Sequence, residues 1–314
     1  MNDKMKIECI KTDIDKCFSA YNVNSIDTKF EMPNSGKTLK YYEGTFNLIV
    51  AKSGHGKTSY STFLNAYILE NTEYNTAYIS IEELPAPTIA RIGTALENLN
   101  KDTPNNQNYE AILSNLKTSK TREPLRINKL IEEERTYISD HSKLSEIVEF
   151  IESFSNKNDK NKFIFIDYLQ LIRTETNSQN RVNELQNICN TLLQTAKQTS
   201  TILIMNVQVN KEAKTFEVFD TNTIREAQDI VFTSNIILGI WNETVIENEK
   251  GETNKYDKPT QDIKIKVMKN RLGDTQHIDM EFDFKNNIFR LDSKKKTPSK
   301  SRKQPSNYQK KFSK

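Results

Sequence analysis

The chain has 314 residues, with 45 Lys+Arg against 42 Asp+Glu, three histidines and three cysteines. The cysteines (Cys9, Cys17, Cys189) include no CxxC pair and the histidines (His55, His141, His277) are scattered, so no Cys/His zinc site is expected and the usage reads as a reducing cytoplasm. No stretch approaches the roughly 20 apolar residues of a membrane span, and Met1–Lys16 is charged without an apolar core, so neither membrane attachment nor a secretion signal is expected.

In chain order, residues 1 to about 43 are polar, with one weak helical stretch at Asp13–Tyr21. An apolar strand is predicted at Thr45–Val50, a helix from Lys57 to about Glu70 and a second strand at Thr76–Ile81. Residues 86–133 read as mostly helical, broken at Asn105–Asn108, followed by a short strand at Arg135–Ser139 and a helix at Leu144–Phe154. A third clear strand, Lys162–Ile166, ends on Asp167. Val182, Leu185, Cys189, Leu192, Leu193 and Ala196 recur at helical spacing and read as core. More strands are expected at Thr201–Asn206, Ser234–Trp241 and Asp262–Lys269, the last turning through Gly273 into a hairpin partner at Ile278–Phe284. The charged segment Asn242–Thr260 reads as a surface loop. Continuous apolar strands alternating with helices predict an α/β fold, its mainly parallel sheet covered on both faces.

Only eight glycines occur, and two of them fall in Ala51-Lys-Ser-Gly-His-Gly-Lys57-Thr58, between a predicted strand and a predicted helix. That order is a phosphate-binding loop. The glycines let backbone N–H groups turn inward on a phosphate, and the helix N-terminus adds partial positive charge. Ser53, Gly54, His55, Gly56, Lys57, Thr58 and Ser59 are therefore the candidate nucleotide contacts, with Lys57 on the β and γ phosphates of ATP and Thr58 on Mg²⁺. Ala51 stands where the general motif has its first glycine. The metal side needs a carboxylate at a strand end, and Asp167 fits, so Thr58 and Asp167 are the candidate Mg²⁺ ligands. Glu82 and Glu83 end the second strand, and Glu82, which alternates with Ser80, is the preferred general base.

Together these segments resemble the ATPase domain of DnaB-type hexameric replicative helicases, superfamily 4, with a RecA-like fold. The resemblance is carried by Gly44–Val50 with Ala51 and Gly56-Lys57-Thr58, by Ser80-Ile81-Glu82, Ile166-Asp167-Tyr168-Leu169-Gln170-Leu171 and Asn180–Leu185, and by Val207-Gln208-Val209-Asn210, Ile224-Arg225-Glu226 and Lys269-Asn270-Arg271-Leu272-Gly273. Order and spacing agree over roughly residues 41–291, and Ala51 is ordinary in that family. The resemblance implies a RecA-like P-loop ATPase with a C-terminal β-hairpin, using ATP and Mg²⁺. It also implies a homo-oligomer, a hexameric ring, that translocates 5′→3′ on single-stranded DNA, with a primase or helicase loader as a further partner. In its terms Glu82 activates water, Asp167 is the Walker B acid, Gln208 senses the γ-phosphate, and Arg271, beside Lys269, is an arginine finger reaching the neighbouring subunit's ATP. Arg181, Lys211 and Lys214 fall where the family's channel loops lie and are candidate contacts to single-strand phosphates.

Two departures stand out. About 40 residues precede the core where the family carries a collar of about a hundred, a small domain in size, and Val231–Asn235 replaces the family's acidic run after Arg-Glu. Brevity and the Lys/Asn-rich composition suit a phage or mobile-element replication protein. RecA-like cores host many functions, so two rival readings stand beside the helicase. One is a recombination-type ATPase that depends on single-stranded DNA and does not unwind; the other is a nucleotide-dependent scaffold, against which Glu82, Asp167 and Arg271 argue. The chain is expected to divide into an extension over 1–40, the ATPase domain over 41–292 and a basic tail over 293–314.

Nine of the 45 basic residues fall between Lys294 and Lys314 with no acidic one, leaving 36 basic against 42 acidic residues before them, a net of −6. An acidic body with a +9 tail points to the tail as an electrostatic tether for nucleic acid. Truncation after Leu291 is expected to weaken DNA binding at low salt and to leave basal ATPase intact; collapse of basal ATPase would make the tail structural.

Overall fold

The inner parallel strands of the central sheet are runs of apolar residues that alternate between two hydrophobic layers. In the strand Lys162–Asp167, Phe163 and Phe165 enter one layer while Ile164 and Ile166 enter the other, all four fully buried. This is why the sequence shows a continuous apolar run there, with no polar alternation. The structure, a computed structural model, describes residues 25–31, 38–99, 108–118, 125–157, 162–175, 180–209, 215–224, 228–251, 259–271 and 273–291.

Six strands run parallel: β3 (Thr45–Ala51), β4 (Asn75–Ser80), β5 (Thr136–Ser139), β6 (Lys162–Asp167), β7 (Ile202–Gln208) and β8 (Ile236–Asn242). Three antiparallel strands extend the sheet beyond β8, namely β9 (Gln261–Asn270), β10 (His277–Asp283) and β11 (Ile288–Leu291), giving the order β11-β10-β9-β8-β3-β7-β6-β4-β5. The helices α1 (Lys57–Asn71), α2 (Pro85–Asn98), α3 (Tyr109–Thr118) and α4 (Arg126–Glu132) build one layer, with Phe63, Leu64 and Leu96 fully buried. On the opposite face lie α5 (Leu144–Lys157), α6 (Arg181–Thr199) and α7 (Gln228–Thr233), through Ile147, Ile151, Ile188, Leu192 and Ile230. No helix among the described residues is long and apolar enough to cross a membrane.

The α/β class, the parallel sheet and the C-terminal hairpin are as expected. Three local differences have physical reasons. The segment read as a loop after Asn242 begins with a helix, α8 (Glu243–Glu249). Asn242 caps it by accepting from the Val245 N–H at 3.0 Å, and Thr244 and Val245 are buried beneath the glutamates. Second, a separate antiparallel pair, β1 (Ser25–Glu31) with β2 (Thr38–Tyr42), occupies a stretch where composition shows only polarity, and Leu39 and Tyr41 of β2 are buried. Third, a short strand, β11, follows the predicted hairpin. The helical stretch at Asp13–Tyr21 and the basic tail lie outside the described residues.

Candidate functional site

Parallel pairing brings four strand ends to one edge. Ala51 of β3 pairs with Gln208 of β7, and Ser80 of β4 pairs with Asp167 of β6. After Ala51 the chain turns through residues 53–56 into α1, with Gly54 at φ 78° and Gly56 at φ 90°. Positive φ is the glycine requirement here; a Cβ at either position would meet nothing within 4 Å. The helix α1 starts on Gly56 with no side-chain cap and no acidic residue in its first turn, so its N-terminal partial charge faces the turn uncompensated.

Behind the turn sits a buried ion pair. Lys57 Nζ donates to Asp167 Oδ1 at 2.9 Å, with the two side chains only 8% and 3% exposed. Thr58 Oγ1 donates to the other carboxylate oxygen at 2.6 Å and Tyr78 Oη at 3.2 Å. Burial, reinforced by the Asp167 charge, holds the Tyr78 phenol well above its ordinary range, so it remains a donor. The Tyr168 ring lies 4.7 Å from Lys57 Nζ. Tyr78 was not singled out from the sequence, since an aromatic inside an apolar strand reads as core; Tyr168 entered there only as part of the Ile166–Leu171 motif, with no role of its own.

An open cavity of about 220 Å³ fronts this pair. Its floor is the turn, from Ser53, Gly54 and Gly56 to Lys57, Thr58 and Ser59; its walls are Lys52, Glu82, Arg91 and Gln208. Of the two glutamates, Glu83 is taken by Arg91, whose guanidinium pairs with it at 2.9 Å. Ser80 Oγ pins the turn by donating to the Glu83 carbonyl at 2.8 Å. Glu82 is left on the cavity wall, its N–H 3.3 Å from the Asp167 carbonyl. Burial raises its carboxyl above the ordinary 4.5, Lys57 opposing and Asp167 and Glu83 adding to the rise, which is the direction that suits a proton acceptor. Arg91 is a cavity residue the sequence reading missed, because its link to Glu83 spans eight positions across a turn.

His55 is absent from the cavity wall. It is 1% exposed, its Nδ1 accepts from the Asn242 N–H at 3.1 Å and its ring meets Trp241 edge-on at 5.5 Å. Accepting at Nδ1 places the proton of the neutral ring on Nε2. Burial, with Lys52 adding, pulls its pKa down to about 4. His55 therefore staples the turn to the end of β8 and sits behind the surface facing the cavity.

Two other predicted residues lie elsewhere. Because β9 is antiparallel to β8, its end carries Arg271 to the opposite edge of the sheet. Arg271 N–H donates to Asn235 O, and Asn235 N–H to Phe46 O. Phe46 lies five residues before Ala51 on β3, roughly 16 Å at strand rise, more than an arginine side chain spans. At that edge Lys269 Nζ donates to the carbonyls of Val231, Ser234 and Phe232 at 2.5, 2.6 and 3.3 Å, and the Arg271 guanidinium donates to the Phe232 carbonyl. The Val231 and Phe232 carbonyls are among the last of α7, where cations are favoured, and Ser234 follows directly after it. Burial, with Arg271 adding, pulls the Lys269 ammonium down to about 8. Arg181 opens α6, paired with Glu184 at 2.5 Å and donating to the Gln170 carbonyl at 2.8 Å. Lys211 and Lys214 lie outside the described residues.

The described residues contain no group of three or more His, Cys, Asp or Glu placed to hold a metal. One hydroxyl, Thr58, and one carboxylate, Asp167, do adjoin each other. That donor set fits Mg²⁺, which takes few protein oxygens and completes its shell with water and phosphate.

A family model described as DnaB-like helicase C terminal domain matches residues 27–291. Comparison with curated proteins found no match. Among solved structures, the fold is similar to one described as an ATPase domain, with a TM-score of 0.65 at 18% identity over 92% of this chain and 99% of that one. It is also similar to a DnaB-like replicative helicase solved in a study of its interactions with primase, with a TM-score of 0.61 at 18% identity over 79% of this chain. The match spans 58% of that helicase's length. The fold is thus the RecA-like ATPase fold expected from the sequence.

Two measurements test the site's electrostatics. Asp167→Asn strands a buried ammonium and is expected to cost about 3 kcal/mol in the nucleotide-free protein. Combining it with Lys57→Met should cost less than the two single changes added together; strict additivity in urea unfolding would show that the pair is not coupled. For His55, the unfolded state takes up its proton first, near the ordinary 6.5, while the folded state resists to about 4. Its contribution is therefore lost as pH falls through that window, by about 3 kcal/mol at most. His55→Gln keeps an acceptor for Asn242 and should flatten that part of the wild-type decline; parallel curves would refute the assignment.

Proposed function

We propose that this chain, which belongs to the DnaB-like helicase C-terminal domain family, is an ATP hydrolase that assembles into a ring, a hexamer as in the family, and moves along single-stranded DNA to unwind duplex during replication. The observation that carries the reading is the convergence of the glycine turn, Lys57, Thr58, Asp167, Glu82 and Gln208 on one cavity. In this reading Lys57 leaves Asp167 for the β and γ phosphates. Thr58 and Asp167 hold Mg²⁺, which supplies charge neutralisation at the phosphates when bound. Glu82 takes the proton of the attacking water, and Gln208 lies on the γ-phosphate side.

A cation is still needed for the charge that develops on the transferred phosphoryl. Arg91, paired to Glu83, is a compensated charge. The position of Arg271 at the far sheet edge supports its acting on a neighbouring copy, so hydrolysis depends on assembly. The proposal extends to 5′→3′ movement, to a primase or loader as partner, and to a cytoplasmic setting in a bacterium or a phage-infected cell.

One experiment tests both parts. Glu82→Gln and Arg271→Ala proteins should each be inactive alone. Mixed, they should regain ATPase, because interfaces form with Glu82 from one copy and Arg271 from the other. No recovery at any ratio counts against trans action. ATPase that is stimulated by single-stranded DNA, with no opening of a forked duplex by wild type, replaces the helicase by a recombination-type ATPase.

A further inference from the structure

Successive residues of a parallel strand turn their N–H and C=O groups to alternate neighbours. Val209 N–H reaches back to Ala51 O of β3 at 3.0 Å, so the main-chain groups of Gln208 face the other way, towards β6. But β6 has ended at Asp167 and the chain has curled into a 3₁₀ turn, Leu169–Leu171. Among the described residues, the partner that stands opposite Gln208 is the side-chain amide of Gln170. Its Nε2 donates to Gln208 O at 2.8 Å, and its Oε1 accepts from Gln208 N–H at 3.3 Å. Only one orientation of the amide satisfies both, so the pairing fixes the orientation. Gln170 is held in turn: its carbonyl accepts from Arg181 at 2.8 Å. Arg181 is braced by Glu184 at 2.5 Å, and the other oxygen of that carboxylate accepts from Thr174 Oγ1 at 2.9 Å.

We propose that Gln170 is a positioning residue for ATP hydrolysis, fixing the backbone of Gln208 so that its side chain stays on the cavity wall, and that Arg181 acts through Gln170. The inference rests on the hydrolase reading above. The physical link is direct: with both main-chain groups of Gln208 clamped, the direction of its Cα–Cβ bond is set. A misplacement of about 1 Å at a reacting site can cost about 10²-fold in rate. On that reading nucleotide binding rests on the glycine turn, Lys57, Thr58 and Asp167, whereas the hydrogen bonds of Gln170 go to Gln208 and Arg181. The signature is therefore a fall in kcat without a change in KM.

Gln170→Met keeps length and bulk and removes both bonds to Gln208. It is expected to lower kcat for ATP by about 10- to 100-fold with KM and Tm unchanged, and to speed hydrogen exchange at the Gln208 amide. Gln170→Glu keeps the acceptor and loses the donor, so its kcat should fall between the two. Arg181→Met should lower kcat in the same direction, and added to Gln170→Met it should lower it no further, because both act on one clamp. A Gln170→Met enzyme with wild-type kcat overturns the inference and leaves the hydrolase reading standing. So does one whose KM and Tm move together with kcat, since that is the mark of a merely structural residue. A wild-type protein with no ATPase removes both.

Discussion

The site depends on a charge pair taken almost wholly out of water. Lys57 and Asp167 sit on different elements, α1 and β6, and meet at 2.9 Å behind the glycine turn. Desolvating two ions is costly, and their attraction offsets that cost only where the remaining lone pairs are satisfied. Here Thr58 and Tyr78 supply donors to the second carboxylate oxygen. The pair also fixes what binding has to change. On the proposed reading, the ammonium that would meet phosphate is neutralised here by the carboxylate that would meet Mg²⁺. A magnesium-bound nucleotide offers each a replacement partner of the right sign, so both charges can stay compensated through the exchange.

Register makes that pair possible, and register follows from the apolar strands. With β3, β7, β6 and β4 buried on both faces, a slip by one residue would exchange the two hydrophobic layers. The alignment of Ala51 with Gln208 and of Ser80 with Asp167 is therefore held by the core far below the site. The same alignment presents Gln208 to Gln170, because β6 stops short of the point where β7 still needs a partner.

Much of this was legible in the sequence, for a physical reason. A phosphate turn has to be built from local chain, so strand, Gly-His-Gly-Lys-Thr and helix stand together, and fully buried strands announce themselves by unbroken apolar runs. What the sequence hid is pairing across space. Arg181 read as a candidate contact to single-strand phosphates, although its ion-pair partner Glu184 lies only three positions on; the Gln170 carbonyl that also holds it carries no side-chain signal. Glu82 and Glu83 were separable by alternation, but the reason Glu83 is excluded, Arg91, became visible only once α2 folded back over the turn. His55 looked like a nucleotide contact because of its place in the motif. Its ring points away because Trp241 and the Asn242 N–H give it an apolar seat and one hydrogen bond, which suits a neutral imidazole better than a charged one. The helix α8 hid behind its glutamates, since two buried residues are too few to show a period.

The far edge of the sheet carries the remaining argument. Lys269 and Arg271 converge on the carbonyls that end α7, a helix of six residues that is too short to hold those groups in place by itself. A cation there does two things at once: it satisfies acceptors that the helix leaves open, and it ties α7 to the end of β9. Lys269 has three carbonyls around it. Arg271 reaches the Phe232 carbonyl with one guanidinium nitrogen and is exposed, so it retains donors that the helix end does not use. Within one chain those donors lie at the other end of β3 from the phosphate cavity. On the proposed reading, a chain of this fold is half of two sites, giving its cavity to one neighbour and its arginine to another, and the antiparallel turn of β9 against β8 is the feature that separates the halves.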